Sequence, residues 1–134
     1  MNKKTNILLI DDDADDRLLF VTAAAEIGSM LECFCAGGTS EAMDYLNRAE
    51  PLPDVIFLDM NMPGFDGKRC LLQVKSSHRL KDIPVIIYST FISQETENEM
   101  LRLGASSVIT KPGDFNSIQI AILKCIQSLN ALPQ

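Results

Sequence analysis

The sequence predicts an α/β fold in which a parallel sheet lies between two layers of helices, as a single three-layer domain. Three observations predict it. Short apolar runs alternate along the chain with longer stretches of helical spacing. Several of those runs are apolar on both faces, as strands buried between two helical layers must be. The connections are short and rich in Gly, Pro, Asp and Ser, which break regular structure.

Strands are expected at Asn6–Ile10, Leu31–Ala36, Asp54–Leu58, Pro84–Ser89 and Ser107–Thr110. Helices are expected at Ala14–Ile27, Thr39–Ala49, Gly67–Ser76, Ser93–Leu103 and Asp114–Leu129. Gly28 and Gly104 fall where helix C-terminal glycines belong, and Ser93 and Asp114 read as N-caps. The first helix carries a core stripe of Leu19, Phe20, Ala23 and Ile27, and a second apolar set of Leu18, Val21 and Ala25. The last helix carries Phe115, Ile118, Ile122, Ile126 and Leu129 for the core, with Ile120 and Leu123 left over. No repeat, linker or boundary divides the chain. One domain over residues 1–134 is expected, with its core at about 6–129 and no output domain.

Composition narrows the function classes. The 134 residues are 46% hydrophobic and 22% charged, enough for one adequate core and no second. Lys and Arg total 12 against 18 Asp and Glu, a net charge of −6. Nucleic-acid surfaces need clustered cations, so no nucleic-acid partner is expected. No apolar run approaches the ~20 residues that span a bilayer. Lys3 and Lys4 precede only a short apolar run, Ile7–Ile10, so no signal peptide is read and a cytoplasmic protein without membrane contact is expected. Cys33 and Cys35 are expected to face opposite sides of their strand, with Cys70 and Cys125 in helices. In the absence of a CxxC or Cys/His cluster these are ordinary thiols. His78 lies in a polar stretch and reads as a solvated loop residue.

Parallel strands deliver their carboxyl ends to one edge, where open α/β sheets bind ligands. The third strand ends in Asp59, followed at once by the loop Met60-Asn61-Met62-Pro63-Gly64-Phe65-Asp66-Gly67. The first strand delivers Asp11 and Asp12, the fourth Ser89 and Thr90, and the fifth Thr110, Lys111 and Pro112. Three converging carboxylates repel unless a cation joins them. Hard oxygen donors suit Mg²⁺, with Mn²⁺ as the alternative. A metal beside a lysine and a hydroxyl makes a receptor for phosphoryl oxygens, with one carboxylate as nucleophile. Asp13, Asp15 and Asp16 fall in the first turn of a helix, where acids complement the macrodipole, and are read as structural only.

With these pieces in order, Ile10-Asp11-Asp12, Leu58–Gly67, Val85–Ser89 and Gly104-Ala105-Ser106…Lys111-Pro112, the chain resembles the receiver domain of two-component response regulators. The resemblance runs from about Ile7 to Leu129 and suggests the stand-alone, single-domain type. It implies a flavodoxin-like sheet of order 2-1-3-4-5, a common doubly wound arrangement. It implies Asp59 as phosphoacceptor, taking a phosphoryl group from a phosphohistidine on a sensor histidine kinase or histidine phosphotransfer protein. Asp12 would bind the metal directly, Asp11 through water, and Asn61 through its backbone carbonyl. Lys111 and Ser89 would each hold a phosphoryl oxygen, and Lys111–Pro112 would be a cis bond.

Such a protein is no enzyme beyond its own phosphorylation and dephosphorylation. It signals through a downstream protein partner, a homodimer or onward transfer. The alternative is a receiver-fold binding module that works without phosphorylation. A dehalogenase-type phosphatase would carry a second Asp where Asn61 stands. The surplus apolar residues Leu18, Ile120 and Leu123 lie where receivers dock donors or partners. The chain departs from the family at Val108, where many receivers carry a switching aromatic.

Overall fold

Alternation along β1 (Thr5–Ile10) sends Ile7 and Leu9 to one face of the sheet and Leu8 and Ile10 to the other. All four are fully buried, so both faces need cover. The computed structural model, which describes residues 4–131, shows that cover. Five parallel strands run in the order β2-β1-β3-β4-β5, with β2 at Leu31–Ala36, β3 at Val55–Leu58, β4 at Val85–Ser89 and β5 at Ser107–Thr110. The flavodoxin-like order is therefore the observed one.

One face packs Leu8, Ile10, Ile56, Leu58, Val85 and Ile87 against α2 (Thr39–Arg48), α3 (Asp66–Ser76) and α4 (Gln94–Arg102). The other packs Ile7, Leu9, Val55, Phe57, Ile86 and Tyr88 against α1 (Ala14–Ile27) and α5 (Phe115–Ala131). On this second face the rings of Phe20, Phe57 and Tyr88 meet edge-to-face at 5.0, 5.4 and 5.8 Å, an arrangement favoured by the ring quadrupole. Among the described residues no helix is long and apolar enough to cross a membrane.

The caps behave as their residue types predict. The Ser93 hydroxyl accepts from the Thr96 N–H at 3.1 Å, and Asp114 Oδ1 accepts from the Ser117 N–H at 2.9 Å. Gly104 has φ +116°, and the bonds Gly104 N–Leu101 O and Ala105 N–Met100 O, 3.2 and 3.0 Å, close α4 as a Schellman turn. Gly28 is different: its φ of 160° is extended backbone, so it ends α1 without a left-handed cap.

Two side-chain expectations fail. Leu19 is 46% exposed, and the buried face of α1 is Phe20, Ala23 and Ala24. At about 100° per residue, the mean direction of Phe20, Ala23 and Ala24 lies roughly 90° from Leu19, which leaves Leu19 at the margin of the buried face. Cys33 and Cys35 do not face opposite ways; both pack against the second cluster, because residues two apart on a strand share a face. All four cysteines are free thiols.

Two features aim the loop after β3. Asp66 Oδ2 accepts from the Thr39 N–H at 2.7 Å, and the Thr39 hydroxyl donates to Asp66 O at 2.9 Å, tying α3 to the start of α2. Gly67 lets α3 approach β3 closely: a Cβ there would lie 2.7 Å from Asp59 O and 2.9 Å from Met60 Cα, both backbone atoms. Gly67→Ala should therefore destabilise the domain by about 1–3 kcal/mol, the usual range for overpacking. Urea unfolding measures this, and an unchanged midpoint would contradict the close approach.

Candidate functional site

The strand register builds the site. Ile10 pairs with Leu58, and one residue further on the Asp59 N–H donates to Ile10 O at 2.9 Å. The Asp11 N–H donates to Ala36 O at 3.0 Å. Both acids thus stay on the sheet's hydrogen-bond ladder while their side chains pass beyond its apolar core. Ser89 pairs with Thr110, and the Lys111 N–H donates to Ser89 O at 2.8 Å, bringing the lysine to the same edge.

Asp59 is buried and accepts from three directions. Its Oδ1 takes the Asn61 N–H at 2.9 Å and the Ser89 hydroxyl at 3.1 Å, and its Oδ2 lies 3.3 Å from Lys111 Nζ. Asp11, 0% exposed, accepts the Asp13 N–H on Oδ1 at 2.9 Å and Lys111 Nζ on Oδ2 at 2.7 Å. Asp12 is exposed at the mouth. Asn61 Nδ2 donates to Thr90 Oγ1 at 3.0 Å, joining the loop after β3 to the loop after β4. The structure thus brings Asp11, Asp12, Asp59, Asn61, Ser89 and Lys111 together at one edge of the sheet.

One residue was missed. Asp16 Oδ2 lies 2.8 Å from Lys111 Nζ, so this acid does more than complement a helix dipole. Its signal was available: Asp16 is four residues before Phe20, on the face of α1 that turns to the sheet. Beyond the sheet's edge that face meets polar strand ends instead of the core. Asp13, by contrast, is the N-cap, accepting from the Asp15 and Asp16 N–H groups, and Asp15 is exposed.

The electrostatics follow from three acids around one ammonium. Burial alone would lower the Lys111 pKa, but its hydrogen bonds to Asp11 and Asp16 and the charge of Asp59 outweigh burial and raise it. Burial raises the Asp11 pKa in spite of its hydrogen bond to the lysine. Lys111 also lies 5.8 Å from the centre of the Tyr88 ring, and burial pushes that phenol up to about 12. Among the described residues the cis peptide bond is at Glu50–Pro51, and Lys111–Pro112 is not cis. The lysine is turned inward with its carboxylate partners, without a cis bond beside it. Val108 is half-buried against the first core cluster, so no aromatic occupies that place on β5.

One carboxylate oxygen each from Asp11, Asp12 and Asp59 lies within 4.8 Å of the others. An all-oxygen set at this spacing fits a hard divalent cation and offers no soft ligand.

The family model described as "Response regulator receiver domain" matches residues 7–123, and the chain belongs to that family. Its receiver-domain relatives support a phosphoacceptor role in two-component signalling. The chain is 32% identical over 127 residues to the regulatory protein AtoC of Escherichia coli, covering 95% of this chain and 26% of that protein. It is 35% identical over 109 residues to the response regulator PleD of Caulobacter vibrioides, covering 81% of this chain and 23% of that protein. The chain therefore spans only about a quarter of either relative's length. Among solved structures, the phosphorylated cyanobacterial phytochrome response regulator RcpA superposes with a TM-score of 0.83 at 28% identity, covering 98% of this chain and 97% of that one. The bacteriophytochrome response regulator AtBRR gives 0.73 at 32% identity, covering 98% and 96%.

The Lys111 side chain is 8% exposed, so removing its charge leaves the buried acids Asp11 and Asp59 without their cation. Lys111→Met should cost about 3–5 kcal/mol of stability at neutral pH, the range for breaking a buried ion pair. Adding Asp11→Asn should restore part of it, because the surplus charge goes with it. A double-mutant cycle by denaturant unfolding measures both; additive losses would contradict the coupling.

Proposed function

We propose that Asp59 is the phosphoacceptor, taking its phosphoryl group from a phosphohistidine on a sensor histidine kinase or a histidine phosphotransfer protein. The observation that carries this reading is the setting of the Asp59 carboxylate. It is buried, held by the Asn61 N–H and the Ser89 hydroxyl, and faces Lys111, with Asp11 and Asp12 alongside. A carboxylate oxygen attacks phosphorus, the P–N bond breaks, and the imidazole leaves with the bonding pair. The fixed donors orient the nucleophile in advance, so little reorganisation accompanies the reaction. Lys111 then donates to one phosphoryl oxygen and Ser89 to another.

Asp11, Asp12, Asp59 and the Asn61 carbonyl would hold Mg²⁺, which when bound supplies the positive charge that a phosphoryl group needs in an acidic pocket. A receiver relative, Rcp1, 25% identical with a TM-score of 0.77, was solved in a Mn²⁺-bound form, which supports a divalent site and admits Mn²⁺ here. The added charge of a phosphoryl group alters the electrostatics of a surface that already carries surplus acid, and so shifts binding to a downstream protein. Exposed Leu18, at 66%, and Ile120 and Leu123 offer apolar contacts for such proteins.

Incubation with acetyl phosphate or phosphoramidate and Mg²⁺, followed by intact mass, tests the reading. One phosphoryl adduct is expected on the native protein and none on Asp59→Asn. No adduct on the native protein under any condition would overturn it and favour the phosphorylation-independent binding module.

A further inference from the structure

Lys111 has a partner that phosphoryl transfer does not call for. An ammonium offers three donors. Two are engaged at short range, by Asp11 at 2.7 Å and Asp16 at 2.8 Å, while the contact to Asp59 is 3.3 Å. The resting lysine thus leans away from the acceptor, toward the start of α1. Asp11 and Asp16 hold it under different constraints. Asp11 is 0% exposed, and its other oxygen is fixed by the Asp13 N–H. Asp16 is 34% exposed at its side chain, so water can take over its half of the lysine bond. Asp15, the next acid in the same helical turn, is exposed and is not among the residues bonded to Lys111.

We propose that Asp16 is a positioning residue that competes with the phosphoryl group on Asp59 for Lys111, and so sets how tightly the phosphorylated state is held. The inference rests on Asp59 being the phosphoacceptor. A phosphoryl oxygen gains its hydrogen bond from Lys111 against the hold of Asp16, and charge-assisted bonds of this kind are the strong ones. With Asp16 neutral, the ammonium turns more fully to the phosphoryl oxygen. The adjustable arm of the site is then on α1, the helix that also carries exposed Leu18 and Leu19.

The test uses beryllofluoride, a tetrahedral stand-in for a phosphoryl group on a carboxylate, titrated with Mg²⁺ present and followed by fluorine NMR. Asp16→Asn should bind it about fivefold tighter or more, as expected for relief of one competing charged hydrogen bond. Asp15→Asn removes the same charge without touching Lys111 and should change the affinity by less than about twofold, since an exposed charge is screened. Asp16→Glu restores the carboxylate and should move the affinity back toward native. Thermal melts establish that each variant is folded. Unchanged or weaker binding by Asp16→Asn would overturn the proposal, and so would an equal gain in Asp15→Asn, which would make the effect one of general charge. If the native protein took no beryllofluoride, and Asp59→Asn behaved alike, the phosphoacceptor reading would fail first and this inference with it.

Discussion

The Lys111 ammonium lies against the carboxylates of Asp11, Asp16 and Asp59, and the geometry of the site depends on that arrangement. It joins β1, β3 and the segment after β5 to the first turn of α1. Without a cation, acids at neighbouring strand ends would repel one another. The carboxylates outnumber that one ammonium; burial raises the Asp11 pKa, and the lysine's carboxylate partners raise its own. A site in this condition favours further positive charge. That is the physical case for a divalent cation among Asp11, Asp12 and Asp59.

The apolar sheet makes the arrangement rigid. Ile10 and Leu58 are in register and buried, so the acids that follow them are placed by core packing. Gly67 and the Asp66–Thr39 bonds then fix the loop that carries Asn61. Tyr88, whose ring centre lies 5.8 Å from the Lys111 ammonium, belongs to the same aromatic group as Phe20 and Phe57 on the α1/α5 face. This gives the chain an aromatic contact to its site although β5 carries Val108. The aromatic lies one residue before Ser89, within the second core cluster.

Much of this was legible in the sequence because its signals are local. Both-face apolar runs mark strands, and an acid, hydroxyl or lysine directly after each run marks the ligand edge. The observed element bounds fall within two residues of those expected. Asp16 was not recovered because acids are commonplace in a first helical turn, and its distinction lies in the rotation of α1 relative to the sheet. The same rotation put Leu19 outside and Ala24 inside. The faces of Cys33 and Cys35 were misassigned against the strand's own two-residue period. The backbone of Lys111–Pro112 was expected from the family resemblance alone, and the structure does not make it cis.

Asp59 is proposed as the one nucleophile of this acidic cluster, with the other acids serving it. Borohydride reduction of protein loaded with acetyl phosphate, followed by peptide sequencing by mass spectrometry, identifies the acceptor, because an acyl phosphate is reduced to the alcohol where it formed. Homoserine is expected at position 59 alone. Homoserine at position 11, 12 or 16 would contradict it.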